Sequence, residues 1–554
     1  MAKYSNDSPT PKTLHDQRLN LYNPCMKMHF NTAGPQQIER HYTIDPLVRI
    51  DQALIEDLVD QQRYFVLHAP RQTGKTTCML ALRDFFNAGG HYCALYVNIE
   101  AAQAMRGNVY AAVQGMLSRI AEEARATLNA PELKLAQSEL MAQGESNALA
   151  AGLRVLCESL SKPLILFLDE VDALVGDTLI SLLRQIRAGY TDRPKHFPQS
   201  IVLCGVRDVR DYRMTMADGE VITGGSAFNI KAKSLRLGDF SRADMAALYQ
   251  LHTDATGQRF SPEALNLAWE STEGQPWLVN ALAEECCYEQ PEGRDRSKPI
   301  EFALMRKARE ALILRNDTHL DQLTDKLREP RVRAVIEPML LGELPNLNEL
   351  DLNYVRDLGL IRLDAQKNPK PANQIYAEVL PRVLTSVTQF GMHSDRILPN
   401  WQNAAGKLDP AQLMRNFMDF WRSHGEPMMK TVAYHEAAPT LVLMAYLQRV
   451  INGQGRIERE YAAGSGRMDL FVEHGDVAMV IEIKVWRDKR PDPIIEGLEQ
   501  IERYLARLEL AQTGLNQGFL VLFDQRASAP EWEARMRTEH AQTQSGKAIT
   551  VLRG

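Results

Sequence analysis

The sequence predicts an α/β protein, with a parallel sheet carrying a phosphate loop, a helical region behind it, and a second α/β unit towards the C-terminus. Three observations lead there. Short apolar runs alternate with stretches of helical spacing up to residue 206, the pattern of a parallel sheet covered on both faces. One run, Tyr64 to Leu67, opens into a tight loop ending Gly74-Lys75-Thr76-Thr77, after which helical spacing resumes. Beyond about residue 240 the pattern turns helical, and strand alternation is strong again in MDLFV and VIEIKVW.

The whole chain sets broad bounds. Its 554 residues suggest roughly three or four domains with ample core. Composition is that of a globular protein, 45% hydrophobic and 24% charged. A net charge of −6 means that nucleic-acid binding must use local basic patches rather than a global field. The opening MAKYSNDSPTPK has no apolar core for a signal peptide, and no run reaches membrane-spanning length. The seven cysteines show no CxxC spacing, and Cys93 and Cys204 lie in apolar runs. They read as reduced core residues, so a cytoplasmic location without membrane contact is expected. No internal repeat is apparent.

Residues 1–30 are polar and irregular and are expected to be a disordered tail. A nucleotide-binding core is expected over 31–238. HYTIDPLVR, from His41 to Arg49, precedes the helix QALIEDLVDQQ. His41 and Tyr42 are either stacking partners for a base or part of a surface loop. The phosphate loop follows: Ala69, Pro70, Arg71, Gln72, Thr73, Gly74, Lys75, Thr76 and Thr77. A strand, loop and helix in that order is the context a P-loop requires. Gly74 lets backbone N–H groups turn to phosphate oxygens at the positive end of the next helix. Lys75 brings a mobile charge to the β- and γ-phosphates, and the Thr76 hydroxyl is placed to ligate Mg²⁺. The pattern opens with Gly elsewhere; here Ala69 stands in that place, and Pro70 stiffens the loop.

YCALYVNI (92–99) reads as a buried strand, followed by helices near 107–128 and 146–160. The apolar run Pro163 to Leu168 then ends in Asp169-Glu170. Asp169 at a strand tip is placed to hold the Mg²⁺ water shell, and Glu170 to polarise the water attacking the γ-phosphate. ATP binding with hydrolysis is the expectation. The helix TLISLLRQIRAGY and the strand SIVLCGV (200–206) come next, then RDVRDYR. Arg207 is the first choice for a cation on the γ-phosphate; salt bridging to Asp208 and Asp211 is the structural alternative. SAFNI, Ser226 to Ile230, is expected to close the core.

The helical stretches SRADMAALYQLH and SPEALNLAWEST, then Gly274-Gln275-Pro276-Trp277 before WLVNALAEECC, resemble the lid of AAA-like and STAND-type ATPases, over 239–325. In those families a Gly-x-Pro turn lies beside the nucleotide. A lid arginine has no clear counterpart here, which leaves assembly into a homo-oligomer open, and Trp277 reads as a core residue. Residues 326–390 look like a winged helix. Its would-be groove helix carries Glu349, Asp351 and Asp357 against Arg356, a balance that repels phosphate. A mechanical relay is therefore expected there rather than a DNA reader.

After a polar linker (391–410), a last domain spans 411–554. A helix at 432–452 bears Glu436 near its start. In VIEIKVW, Glu482 and Lys484 are two apart and share one strand face, while Ile481, Ile483 and Val485 face the other way. If MDLFV pairs with it through His474-Gly475-Asp476, Asp469 meets Glu482. Two carboxylates suit Mg²⁺, and a lysine beside them orients a nucleophile. The arrangement resembles the PD-(D/E)xK nuclease superfamily. Asp469 matches its metal aspartate, Glu482 and Lys484 its paired acid and lysine, and Glu436 its helical acid. Gln500 and Tyr504 match the QxxxY signature that some members place near DNA. The family's Pro before the aspartate is replaced by Met468. Arg487, Lys489 and Arg490 either seat phosphates or form a solvated basic loop. GFLVLFD and AITVLR supply further strands.

From about residue 28 onward the chain looks like AAA-like ATPases with a C-terminal PD-(D/E)xK domain, a restriction-endonuclease-like α/β fold. The resemblance implies ATP and Mg²⁺ as cofactors, Mn²⁺ as a substitute in the nuclease site, and nucleic acid, DNA first, as partner. It also implies a link to mobile elements or defence. Two readings stay open: a nuclease gated by nucleotide state, or an ATPase switch whose nuclease-like domain binds without cleaving.

Overall fold

The computed structural model describes residues 28–128, 137–174, 176–207, 213–215, 221–223, 230–315, 326–341, 347–391, 401–403, 407–431, 438–451, 455–461, 468–510 and 515–554. The chain divides into two compact units: Met1–Leu312 with Asp357–Gly359, and Ile313–Arg356 with Leu360–Gly554.

In the first unit the apolar runs become β1 (Tyr64–His68), β2 (Cys93–Asn98), β3 (Leu164–Asp169) and β4 (Ser200–Gly205). After β4 come a short hairpin, β5 (Arg213–Thr215) with β6 (Val221–Thr223), and then β7 (Lys231–Arg236). The sheet order is β2-β3-β4-β1-β7, and every pair is parallel. Burial on both faces explains the unbroken apolar runs. Tyr64, Val66, Leu95 and Val97 pack on the side of helices Val109–Leu128, Ala148–Ser159 and Asp177–Ala188. Phe65, Leu67 and Ala94 pack on the opposite side, with helices Gln52–Asp60 and Lys75–Gly89. Strand periodicity of two thus sorts each side chain to one of two cores.

The last strand of the sheet is Lys231–Arg236, and KAKSLR sits at the sheet edge, where no apolar run is needed; of the expected closing segment SAFNI, residues 226–229 lie outside the described residues. Phe30, at the end of the expected tail, is buried against Tyr42 and Tyr249. Residues 1–27 lie outside the described residues.

Helices Arg242–Thr256, Pro262–Thr272 and Pro276–Glu284 follow. The first is held by a capping box between Ser241 and Asp244, and the other two by side-chain caps from Ser261 and Gln275. The turn before the third requires glycine. Gly274 has φ +81°, and a Cβ there would meet the Phe240 carbonyl oxygen at 2.0 Å. That is the physical content of the Gly-Gln-Pro turn.

In the second unit, helices Pro330–Leu341 and Glu349–Asp357 lead to a hairpin of β8 (Ile361–Leu363) and β9 (Pro369–Pro371), then to helix Gln374–Gly391. Helix Pro410–Thr431 starts at the expected Pro break, and of the helix expected over 432–452, Ala438–Ile451 is helical while 432–437 lie outside the described residues. Glu436 lies outside the described residues. A six-stranded sheet follows in the order β10-β11-β12-β13-β15-β14. Its strands are β10 (Gly455–Tyr461), β11 (Met468–His474), β12 (Val477–Trp486), β13 (Leu515–Asp524), β14 (Arg537–Gln542) and β15 (Ala548–Arg553). The expected turn forms, with Gly475 at φ +64° between antiparallel β11 and β12. β12, β13 and β15 are parallel, and helix Ile494–Leu510 connects β12 to β13. The edge strands β10 and β14 are polar and carry no apolar signature in the sequence.

Candidate functional site

The phosphate loop runs from the end of β1 to the first turn of helix Lys75–Gly89. Two residues turn it: Gln72 at φ +57° and Gly74 at φ +80°. Lys75 is buried, and its ammonium donates to the carbonyls of Ala69 and Pro70, 3.0 Å from each. Thr73 Oγ1 closes the loop onto Pro70 O at 2.7 Å. The chain therefore wraps around the lysine head group and holds it at the helix N-terminus, where anion binding is favoured.

Parallel β3 brings the acids to this loop. Thr76 Oγ1 donates to Asp169 Oδ2 at 2.7 Å, and Asp169 is fully buried. Glu170, next along, has φ +59°, an unusual conformation for a non-glycine residue that clusters at functional sites. Burial pushes its carboxyl above the ordinary range; Asp172, Asp169 and Glu100 add to the rise and Lys75 opposes it. A hydroxyl and a carboxylate in hydrogen-bond contact form an all-oxygen donor set, which fits Mg²⁺. Arg207 is half-buried, two residues beyond β4, while Arg210 lies outside the described residues.

Two residues here have no motif to mark them. Tyr96 of β2 donates its hydroxyl to Asp169 Oδ2 at 2.8 Å. Arg49 donates from Nη2 to Thr73 O at 2.5 Å and from Nε to Gly238 O at 3.0 Å, with its guanidinium over the Phe240 ring. Burial lowers the Arg49 pKa. Arg49 thus ties the phosphate loop to the start of the helical region.

Beside the loop lies a pocket lined by Gln72, Gly74 and Thr77 together with Thr32, Phe240 and Trp277. Trp277 is not simply core: it walls this pocket, its indole N–H donating to Thr32 O at 2.8 Å. Tyr42 also borders the pocket but is 1% exposed, its ring held by Phe30 and His252. His41 accepts the Gln37 N–H and sits edge-on to His29. Neither of the expected stacking residues offers an open face, because both are drawn into the packing.

In the second unit, the β11–β12 register sets Asp469 directly opposite Glu482. Glu482 is 1% exposed, and neither carboxylate oxygen has an aligned hydrogen-bond donor among the described residues. Lys484 Nζ stands 2.8 Å from Glu482 Oε1, an ion pair without hydrogen-bond alignment. Lys484 also donates to Gln500 Oε1 at 2.5 Å. Gln500 is buried and Tyr504 half-buried. Arg487 is half-buried, Lys489 and Arg490 are exposed, and the Arg490 carbonyl accepts the Trp486 indole N–H. Among the described residues, no group of three or more His, Cys, Asp or Glu side chains is arranged to hold a metal. Glu482 is thus a buried carboxylate paired with an ammonium and facing the strand position of a second acid.

Residues 58–212 match the family model for the AAA domain. The first unit contains a P-loop ATPase domain. The matched residues hold four of the five strands of the parallel sheet, β1 to β4, and the loop. The chain is similar to the Walker-type ATPase of Pyrococcus abyssi at 16% identity and TM-score 0.45, covering 63% of this chain and 99% of that one. It is also similar to the RuvB Holliday junction branch migration motor of Thermotoga maritima, at 13% identity and TM-score 0.32, covering 59% and 92%. Cdc6p from Pyrobaculum aerophilum matches at 14% identity and TM-score 0.32, covering 60% and 91%. At such TM-scores these likenesses carry no argument about function. No curated protein matches this chain. Among the described residues no helix is long and apolar enough to cross a membrane.

Proposed function

We propose that the protein is an ATPase whose nucleotide state controls metal-dependent cleavage of phosphodiester bonds in nucleic acid, DNA first, by its C-terminal domain. The observation that carries the ATPase half is the 2.7 Å contact between Thr76 and Asp169 beside a buried Lys75. Lys75 exchanges the Ala69 and Pro70 carbonyls for β- and γ-phosphate oxygens, and the loop N–H groups from Arg71 to Thr77 bind the rest. Glu170 accepts the proton of the attacking water, and its raised pKa makes it a better proton acceptor. Arg207 meets charge on the γ-phosphate. The pocket between Trp277, Phe240 and the loop takes the base.

The nuclease half is supported by the pairing of Asp469 with Glu482 and by Lys484 at the Glu482 carboxylate. Asp469 and Glu482, with Glu436 from the preceding helix, would hold the cation, and Lys484 orients the nucleophile. When bound, Mg²⁺ would neutralise phosphate charge at Thr76 and Asp169, while Mg²⁺ or Mn²⁺ in the second unit would polarise the scissile phosphate and lower the pKa of water. In this reading residues 239–325 act as the lid, 326–390 as a winged-helix relay, and 411–554 as the nuclease-like domain. Tyr504, Arg487, Lys489 and Arg490 border the nucleic-acid path.

A second reading, an ATPase switch with a binding but non-cleaving domain, draws on Lys484 being engaged by both Gln500 and Glu482. The two separate on incubation of the purified protein with plasmid and single-stranded nucleic acid, with and without ATP and Mg²⁺. Cleavage that changes in Lys75→Ala establishes gating, since coupling means that one site alters the other. No cleavage of any DNA or RNA form, with Mg²⁺ or Mn²⁺ present, selects the switch.

A further inference from the structure

The Asp169 carboxylate is fully buried and already engaged by three donors. Thr76 Oγ1 and Tyr96 Oη both reach Oδ2, at 2.7 and 2.8 Å, and the Glu170 backbone N–H reaches Oδ1 at 2.9 Å. Thr76 and Glu170 belong to the two motifs. Tyr96 comes from β2, which carries none. Register puts it there: β2 runs parallel to β3, with Tyr96 beside Phe167 and Asn98 beside Asp169. Its ring packs into the core on the side of helix Lys75–Gly89, so its position is set by packing as well as by the hydroxyl.

We propose that Tyr96 is a positioning residue for the metal site of the ATPase domain, holding Asp169 in the orientation that receives Mg²⁺ together with Thr76. This rests on the nucleotide reading of the phosphate loop. A carboxylate on a strand tip rotates about its terminal torsion unless something fixes it. Thr76 alone does not fix it, because its hydroxyl must also turn its lone pairs to the cation. Tyr96 donates from a different strand, through a planar ring packed in part against the core. It reaches the site through Asp169, and its hydroxyl also stands beside that of Thr76. Partners in this outer position typically change metal affinity by ten- to a hundredfold when removed.

Tyr96→Phe deletes one oxygen and keeps the ring, so the core remains filled. The test is equilibrium binding of a fluorescent ATP analogue to wild type and Tyr96→Phe, first in EDTA and then across a Mg²⁺ titration. The expected result is the same affinity in EDTA for both proteins, with the Mg²⁺ concentration that half-saturates the metal-dependent tightening raised about tenfold in the variant. An unchanged Mg²⁺ half-saturation overturns the proposal. So does an equal loss of affinity with and without Mg²⁺, which marks a purely architectural tyrosine, or wild-type binding that ignores Mg²⁺. Failure of wild type to bind the analogue under any condition overturns the nucleotide reading itself, and the Tyr96 assignment falls with it.

Discussion

Asp169 in the first unit and Glu482 in the second are both buried acids on sheet strands, and their surroundings are opposite. Asp169 accepts from a threonine, a tyrosine and a backbone N–H. Glu482 has bare oxygens among the described residues and a lysine ammonium 2.8 Å away. Donors arranged around a carboxylate fix its direction before any cation arrives, whereas a desolvated carboxylate without them is costly until positive charge offsets it. The Asp169 carboxylate is fixed by its donors; that of Glu482 is offset by the Lys484 ammonium. Glu284 offers an intermediate case, accepting the Phe30 N–H at 3.2 Å, and burial pushes its carboxyl up to about 7.

The largest expected effect breaks the first site outright. Lys75→Ala is expected to abolish nucleotide binding or turnover, because the loop loses its phosphate-directed side-chain cation. ATP turnover equal to wild type would remove the assignment of this loop.

Next comes the second site. Asp469→Ala or Lys484→Ala is expected to eliminate nucleic-acid cleavage while leaving ATP hydrolysis within about twofold, as the two chemistries use separate sites. Added Mn²⁺ should raise the melting temperature of wild type by preferential binding to the folded state, and Glu482→Gln should lose part of that rise. Identical Mn²⁺ responses in the two proteins would contradict a cation site at Glu482.

A smaller change sharpens the role of the acid beside Asp169. Glu170→Gln is expected to keep ATP bound while slowing hydrolysis by tens-fold or more, the usual scale for losing a general base. Because the Glu170 pKa is raised, wild-type hydrolysis should fall as pH drops towards that elevated value, and the residual rate of the variant should lack this limb. Normal turnover per bound ATP in Glu170→Gln would leave the residue a structural role.

The smallest effect concerns stability. Glu284 holds its proton more tightly in the folded state than in the unfolded chain, where its pKa is near 4.5. The folded state therefore binds the extra proton between pH 4.5 and about 7, and stability falls as pH rises through that window. Glu284→Gln keeps an oxygen for the Phe30 N–H without the charge. It should raise the melting temperature above pH 7 by about 2 °C and make no such gain near pH 4. A gain of equal size at both pH values would place its origin in packing rather than ionisation.

Much of the ATPase domain was legible in the chain because its information is local. Tyr64–Leu67, the Gly74-Lys75-Thr76 turn and Leu164–Asp169 each combine strand pattern and chemistry within a few residues. The same holds for Glu482 and Lys484, whose shared strand face follows from a spacing of two. Edge strands escaped: Lys231–Arg236, Gly455–Tyr461 and Arg537–Gln542 have one open flank, so their polar sequences carry no burial signal. In sequence His41 and Tyr42 read either as base-stacking partners or as a surface loop, yet Tyr42 joins the aromatic packing around Phe30 and His252.

The sequence by itself singled out the candidate residues, since a phosphate loop, an acid pair at a strand tip and an acid–lysine pair are local patterns. Only the tertiary structure decided what each of them touches. Tyr96 reaches Asp169 because two parallel strands lie in register, and Asp169 is 73 residues away in the chain. Arg49 grips the loop from 24 residues upstream and Gly238 from 189 residues away. Lys484 meets Gln500 because a helix folds back over its strand. Such contacts are set by register and packing between distant segments, and no window of sequence contains both partners.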